Sequence, residues 1–155
     1  IARPFNTYGP RQSARAIIPT IISQILNGKP EIQLGSLSPT RDLTFVKDTC
    51  NGFSEIYKSD SFFGEVTNIG MNTEISIGDI VKKISQLMNI DLTIHADEKR
   101  IRPENSEVER LVCNNEKLIK VSSWKPEYDL NQGLSETIVW LKENNQLFKS
   151  GLYHV

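Results

Sequence analysis

Arginines are the side chains in this 155-residue sequence whose type and placement point to a defined chemistry. Arg41 precedes a short apolar segment, Arg102 lies in a charged stretch, and Arg11 and Arg15 flank the beginning of an amphipathic segment. A guanidinium is planar and permanently charged, so it can bind two oxygens of one phosphate group. The beginning of a helix adds a weaker anion site. These residues therefore offer binding of a phosphorylated ligand, although a loop arginine taken alone is more commonly a surface residue.

Histidines and cysteines offer no comparable pattern. His95 and His154 are far apart, and neither has a cysteine or carboxylate at the spacing of a metal ligand, so we predict no metal site. Cys50 and Cys113 form no Cys-x-x-Cys pair, and we expect both to be buried, reduced thiols of a cytoplasmic protein. No spacing suggests an activated nucleophile, and we predict no catalytic residue within this chain.

Composition and charge describe a globular chain with a core of its own. Hydrophobic residues make up 38% of the sequence and charged residues 24%, which is typical of a soluble domain. The net charge of −1 indicates no general attraction to nucleic acid. The apolar runs are only a few residues long, so we expect no membrane span.

The hydrophobic pattern predicts an α/β chain with very short strands. Strands are expected at residues 1–4, 31–34, 42–46, 66–70 and 91–95. Helices are expected after Gly9-Pro10, at Asp48, and after Ser76, Asn114 and Asp129. Strands this short do not build a large free-standing sheet, so we expect the sheet to continue in a partner half.

Local signals place the beginning and the inner face of several helices. Asp48 is expected to cap its helix, which would carry Phe53, Ile56 and Tyr57 inward. The segment Ser76-Ile77-Gly78-Asp79 resembles a capping box with aspartate in place of glutamate. The last helix is expected to begin at Asp129 and Gln132. Its core face would consist of Leu134, Ile138 and Leu141, with Trp140 beside it.

Two motifs carry a resemblance to a known family. The segment Arg3-Pro4-Phe5-Asn6-Thr7-Tyr8-Gly9-Pro10 resembles the R-x-x-N-x-Y-G-P segment of the extended short-chain dehydrogenase/reductases. The segment Arg41-Asp42-Leu43-Thr44-Phe45-Val46-Lys47-Asp48 resembles the R-D-x-(T/L)-(F/Y)-V-x-D motif of the same family. Both motifs occur in the family's order and spacing, and the family contains the NAD-dependent nucleotide-sugar epimerases and dehydratases.

The resemblance implies residues that hold the diphosphate of a nucleotide-sugar substrate. It assigns the main diphosphate contact to Arg41 and a second one to Arg102. Asn6 would donate a hydrogen bond to the sugar-diphosphate. Pro4 and Phe5 would lie beside the nicotinamide of the NAD cofactor.

The resemblance also implies residues around the nucleoside. The backbone at Ala16 and Ile17 would meet the ligand near the nucleoside. Leu34 would line the base pocket, and Ile77 would close over the base. Asp48, the last residue of the second motif, would be a helix cap.

The organisation implied by the resemblance is the C-terminal part of a Rossmann-type enzyme. The sequence shows no glycine-rich dinucleotide fingerprint, no Tyr-x-x-x-Lys and no initiator methionine. We therefore expect residues 1–145 to be the substrate-binding half, with residues 1–30 bordering a missing NAD-binding domain, and residues 146–155 to be a tail. NAD would be bound mainly by the missing half, the parent would be a homodimer, and the chain alone would be inactive.

Within the family, the sequence is most similar to UDP-N-acetylglucosamine 4,6-dehydratases of the legionaminic-acid type. The similarity includes residues 14–20, 35–42 and 102–111. A UDP-sugar 4-epimerase is the alternative, because both chemistries use this half. A non-catalytic nucleotide-sugar binding module is a further alternative, supported by the absence of catalytic motifs.

Overall fold

A computed structural model describes residues 1–28, 31–97, 100 and 108–148. Within them, the strands are β1 (Ala2–Pro4), β2 (Thr7–Tyr8), β3 (Glu31–Leu34), β4 (Thr40–Arg41), β5 (Thr44–Phe45), β6 (Thr67–Ile69), β7 (Ile75–Ser76), β8 (Thr93–Ala96) and β9 (Arg110–Leu111). The α-helices are α1 (Ile17–Leu26), α2 (Val46–Tyr57), α3 (Ile77–Met88), α4 (Glu116–Val121) and α5 (Leu130–Glu143). The α/β class and the shortness of the strands are as predicted.

The strands pair in small sets with mostly parallel register. β1 pairs with β6, β2 with β5 and β3 with β8, each in parallel. β4 lies between two strands, antiparallel to β7 and parallel to β9. The parallel pairs join segments that are far apart in the sequence, so helices lie between their strands.

The main core forms where α1, α3 and α5 pack together and against β3. α1 contributes Ile18, Ile21, Ile22 and Ile25, whose spacing places them on one face, and all four side chains are buried. The predicted α5 face is confirmed, because Leu134, Ile138 and Leu141 are buried. A second, smaller core consists of Phe62, Ile69, Leu118 and Trp124.

Residues 42–46, predicted as one strand, do not form one. Within this range Thr44–Phe45 is β5 and Val46 begins α2. The backbone N–H of Asp42 donates to the Leu111 carbonyl at 2.9 Å, which continues the pairing of β4 with β9. The N–H of Thr44 donates instead to the Asn6 carbonyl at 3.1 Å. The chain therefore changes its pairing partner between the two residues, and a helix follows directly from Val46.

Helix α2 differs from the prediction in its inner face. Phe53 is 45% exposed and Tyr57 is 87% exposed, while Asp48, Thr49 and Gly52 are buried. A Cβ on Gly52 would lie 2.7 Å from a methyl carbon of Ile69, so the helix approaches β6 through its smallest residue. Of the three residues predicted to face inward, only Ile56 does so, because it is half-buried against the small core that contains Ile69.

The predicted caps are confirmed in part. The Asp129 carboxylate accepts from the Gln132 N–H at 2.8 Å, and the Gln132 side chain accepts from the Asp129 N–H at 2.9 Å. Ser76 Oγ accepts from the Asp79 N–H at 3.0 Å. Asn114 lies one residue before the cap position of α4, and its side chain accepts from the Glu116 N–H at 3.0 Å.

Two predictions about single residues were wrong. Cys50 is exposed, because it lies on the outer side of α2, whereas Cys113 is buried as expected. Asp48 does not cap α2, whose cap position is Phe45. Its carboxylate instead accepts hydrogen bonds from the N–H groups of Glu127 at 2.9 Å and Tyr128 at 3.2 Å.

Candidate functional site

The two motifs singled out in the sequence lie side by side in the structure. β2 belongs to the first motif and β5 to the second, and they pair with Thr7 opposite Thr44. The Asn6 side-chain amide donates to the Asp42 carbonyl at 3.4 Å. The hydrogen bond joins Asn6 to the residue that follows Arg41, although Asn6 and Asp42 are 36 positions apart in the sequence. Tertiary pairing therefore brings Asn6 to the main chain next to Arg41.

Arg41 is held in place by main-chain acceptors. Its side chain is half-buried, and Nη1 donates to the carbonyls of Thr40 at 2.8 Å and Val108 at 2.6 Å. Val108 lies just before β9, the strand that pairs with β4 in register Arg41 to Leu111. The neighbouring strand segment therefore helps to position the guanidinium through the Val108 carbonyl.

Glu74, the residue before β7, is a carboxylate whose hydrogen-bond partners are both near β4. Glu74 accepts from Arg110 at 2.8 Å and from Thr40 Oγ1 at 2.6 Å. The hydrogen bond from Arg110, followed by that from Thr40, lowers the pKa of Glu74 below its ordinary value. Arg110 thus compensates the charge of Glu74 beside β4.

Asp42 is a buried acid that sequence reasoning did not single out. Its side chain is 0% exposed. Oδ1 accepts from the Met71 N–H at 2.8 Å, and Oδ2 accepts from the Cys113 N–H at 3.0 Å. The only signal in the sequence is that Asp42 follows Arg41 within the second motif, and this does not reveal that it ties two distant loops together.

The residues predicted to meet the nicotinamide lie at the end of a parallel strand pair. Pro4 is opposite Ile69 in the pairing of β1 with β6, and the Phe5 N–H donates to the Ile69 carbonyl at 2.9 Å. In open α/β sheets, ligands bind at the carboxyl ends of parallel strands. The next residues, Gly70 and Met71, lead directly to the Asp42 carboxylate. Pro4 and Phe5 therefore lie at the strand end that leads to Asp42, the residue after Arg41.

The residues predicted to surround the nucleoside lie largely in the core. Ala16 is the residue before α1, and Ile17 begins the helix half-buried. Leu34 is 1% exposed and Ile77 is 8% exposed, because both side chains belong to the main hydrophobic core. The Ile77 N–H donates to the Pro39 carbonyl at 3.1 Å, which ties it to the loop after β3. The side chain of Leu34 serves packing in this conformation, and its contact with a base stays a prediction.

Arg102 and Arg11 are two other arginines considered for anion binding. Arg102 lies outside the described residues. Arg11, with a left-handed φ of 67°, lines a cavity of about 530 Å³ together with Gln12, Trp140 and Phe148. Neither Asn6 nor Arg41 contributes to the lining of that cavity.

The described residues contain no cluster of three or more histidine, cysteine, aspartate or glutamate side chains that could hold a metal ion. Among the helices of the same residues, none is long and apolar enough to cross a membrane.

Comparison with known proteins identifies the family. The sequence model of the GDP-mannose 4,6 dehydratase family matches residues 1–137. The chain belongs to this family. Its similarity to the dTDP-D-glucose 4,6-dehydratase of Homo sapiens is 29% identity over 155 residues, covering 97% of this chain and 43% of the human protein.

Solved structures of similar enzymes share the fold of this member of the GDP-mannose 4,6 dehydratase family. The dTDP-glucose 4,6-dehydratase of Bacillus anthracis, solved with NAD, has a TM-score of 0.80 and 30% identity over 95% of this chain and 45% of its own. The UDP-glucuronic acid 4-epimerase of Bacillus cereus, solved with UDP-glucuronic acid and NAD, has a TM-score of 0.83 and 26% identity over 93% of this chain and 45% of its own. The chain spans less than half the length of these relatives.

Proposed function

We propose that the chain is the substrate-binding half of an NAD-dependent nucleotide-sugar 4,6-dehydratase. In this proposal, residues 1–145 bind the diphosphate and base of a UDP-sugar, with UDP-N-acetylglucosamine as the expected substrate. The observation that carries the proposal is the tie between Asn6 and the main chain next to Arg41. It supports a site in which the Asn6 amide and the Arg41 guanidinium, two groups suited to phosphate oxygens, would bind one diphosphate.

The contribution of this half is positioning and charge neutralisation. Arg41 would bind the diphosphate through its guanidinium, and Asn6 would donate a hydrogen bond to the sugar-diphosphate. Holding the sugar in one orientation lowers the entropic cost of reaching the transition state. Pro4 and Phe5, at the carboxyl end of β1, fit the place of a nicotinamide ring because the parallel strands end there. NAD would supply a transient oxidation at C4 of the sugar and return the hydride.

The exposed apolar side chains around α2 support the proposal that a second half of the protein covers this surface. Ile1, Phe53, Tyr57 and Phe63 are 45–87% exposed, and they lie on or beside neighbouring elements, β1, α2 and the turn after it. Within the described residues, β1 pairs only with β6, so its other edge presents unpaired main-chain groups. An exposed edge beside large apolar side chains favours burial against another part of a larger sheet. We propose that the NAD-binding half packs there, and that the complete protein forms a homodimer.

A UDP-sugar 4-epimerase is the second candidate function. It is favoured by the similarity to the Bacillus cereus epimerase, which has a TM-score of 0.83 over 93% of this chain. The dehydratase is favoured by the family model and by the human relative. Both reactions require the nucleotide to be bound in the same way, so the residues described above would serve either the dehydratase or the epimerase.

The first experiment is the product analysis. UDP-N-acetylglucosamine, UDP and dTDP-glucose would be titrated into the complete protein that contains this chain, and products would be identified by NMR. A 4-keto-6-deoxy sugar supports the dehydratase, and a sugar inverted at C4 supports the epimerase. Binding without turnover supports the non-catalytic module instead, whereas failure to bind any nucleotide-sugar contradicts the proposed function.

The site itself is tested by Arg41→Ala. Loss of a charge-assisted contact is expected to weaken UDP binding by about 2 kcal/mol or more. Arg11→Ala is the control, because Arg11 lines the separate cavity beside Trp140 and Phe148. The control is expected to leave UDP affinity unchanged. Unchanged UDP affinity in Arg41→Ala would remove Arg41 from the site.

A further inference from the structure

We propose that Asp42 is a positioning residue for diphosphate binding, acting through Arg41 and Asn6. The inference rests on the proposed function, since it concerns the same site. Asp42 does not touch the ligand in this proposal. Its carboxylate instead holds the segments on which the two ligand-binding side chains depend.

The carboxylate joins three parts of the chain that no local signal connects. One oxygen accepts from the N–H of Met71, two residues after the end of β6, and the other accepts from the N–H of Cys113, two residues after the end of β9. Both bonds are charge-assisted, and the side chain is 0% exposed, so water does not compete for them. A buried carboxylate is costly unless it is fully hydrogen-bonded, and these two donors offset that cost. The result is a fixed distance between β4, the end of β6 and the end of β9.

This clamp, the Asp42 carboxylate with the N–H groups of Met71 and Cys113, positions the segments that contact Arg41 and Asn6. The segment that Cys113 anchors includes Val108, whose carbonyl accepts from the Arg41 guanidinium at 2.6 Å. The main-chain carbonyl of Asp42 itself accepts from the Asn6 amide at 3.4 Å. A shift at position 42 therefore reaches both side chains. The space around the clamp is closed, because a Cβ on Gly70 would lie 2.6 Å from Cys113 Sγ and 3.4 Å from Asp42 Oδ1.

Asp48 provides a matched control in the same motif. Its side chain is 1% exposed, and its carboxylate also accepts from two backbone N–H groups, those of Glu127 and Tyr128. These bonds tie α2 to the segment before α5. None of the bonds described for Asp48 reaches Asn6, Arg41 or Val108. Comparing the two aspartates separates positioning of the site from general stabilisation.

The test uses Asp42→Asn and Asp48→Asn in the complete protein. An asparagine keeps one carbonyl acceptor, but its NH2 group then faces a backbone N–H, so each variant loses one of its two bonds. Both variants are expected to lower the midpoint of urea unfolding. Affinities for UDP and for uridine would be measured by titration, because uridine lacks the diphosphate. Asp42→Asn is expected to weaken UDP binding about tenfold and uridine binding less than about twofold. Asp48→Asn is expected to change neither by more than about twofold.

A second step asks whether Asp42 acts through Arg41. In an Arg41→Ala background, Asp42→Asn is expected to weaken UDP binding by no more than about twofold further, since the contact it positions is already absent. A full tenfold loss in that background would overturn the inference. Equal losses of UDP and uridine affinity would also overturn it, because they indicate general damage.

The outcomes distinguish this inference from the proposed function. If the complete protein binds no nucleotide-sugar, the proposed function fails. If it binds UDP but Arg41→Ala leaves the UDP affinity unchanged, Arg41 is removed from the site and the inference fails with it. If Arg41→Ala weakens UDP binding and Asp42→Asn does not, only the positioning role of Asp42 fails. Should Asp42→Asn not fold, Asp42→Glu replaces it, since the longer side chain keeps the charge but has no room in the closed site without moving β4. Unchanged UDP affinity in folded Asp42→Glu would overturn the inference.

Discussion

Gly133→Ala is the substitution whose effect the structure determines most directly. Gly133 is buried on the inner side of α5, against the rings of Tyr8 and Phe45. A Cβ at this position would overlap the Tyr8 hydroxyl, and it would lie 2.8 Å from Tyr8 Cζ and 2.9 Å from Phe45 Cδ2. Each contact is closer than carbon atoms tolerate, so the side chains or the helix must move.

Two opposing effects set the magnitude. Alanine is the better helix former, by about 1 kcal/mol relative to glycine in a helix interior. Overpacking a closed core costs about 1–3 kcal/mol. Tyr8 is 2% exposed and Phe45 is 1% exposed, with their ring centroids 5.6 Å apart, so neither ring has free space to enter. We take the upper end of the packing cost and expect Gly133→Ala to lower the free energy of unfolding by about 2 kcal/mol.

Urea denaturation followed by circular dichroism measures this change, with Gly78→Ala as the matched control. Gly78 is also helical, near the beginning of α3, but a Cβ there meets its nearest atom, the Leu37 carbonyl oxygen, at 3.6 Å. Without a clash, only the helix propensity remains, and the control is expected to stabilise by up to about 1 kcal/mol.

Tyr8→Phe tests the identity of the clash. The substitution removes the hydroxyl that a Cβ on Gly133 would overlap, and it also removes the weak hydrogen bond to the Leu130 carbonyl at 3.4 Å. The double variant is expected to be less destabilised than the sum of the single variants by about 1 kcal/mol. If Gly133→Ala is as stable as the unchanged protein, the argument that packing outweighs propensity is refuted.

Three further results are expected. Cys50 is exposed and Cys113 is buried. Burial, followed by the nearby Asp42 charge, raises the pKa of Cys113 to about 12. A thiol reagent should therefore titrate one cysteine in the folded protein and two in denaturant. Burial also raises the pKa of Tyr8 above its ordinary value of 10.0, ahead of smaller contributions from Asp48 and Asp129. The unfolded chain loses these protons first, so the contribution of the two groups to stability should be constant below the ordinary thiol pKa of 9.0. It should fall as pH rises from there towards about 12, as measured by urea midpoints across that range. Finally, the 155-residue chain alone should not turn over UDP-N-acetylglucosamine with added NAD, and product formation would contradict the proposal that catalytic residues lie outside it.

Helix α5 shows which parts of the fold are readable locally. Its cap at Asp129 and Gln132 and its core face of Leu134, Ile138 and Leu141 are confirmed, because caps and helical periodicity depend on residues only three or four positions apart. α1 follows the same rule. Both helices can be predicted from their own sequence, without information about the elements that pack beside them.

Helix α2 shows where local patterns fail. Phe53 and Tyr57 have the spacing of a core face but are exposed, and the buried face includes Asp48 and Gly52. The close approach of Gly52 to Ile69 decides which side of the helix packs, and that contact joins residues 17 positions apart on different elements. The periodicity of apolar residues predicts that the side of α2 with Phe53 is buried. It cannot predict that the side with Gly52 is buried instead.

The sequence by itself determined the α/β class, the main helices and the membership of a nucleotide-sugar enzyme family, because periodicity, caps and motif order are local properties. Tertiary structure alone decided that Asn6 lies against the main chain beside Arg41, that Leu34 is buried, and that Asp42 clamps the segments after β6 and β9. The physical reason is that a buried carboxylate takes its role from whichever backbone N–H groups the fold brings to it. Those donors, Met71 and Cys113, are 29 and 71 residues away along the chain.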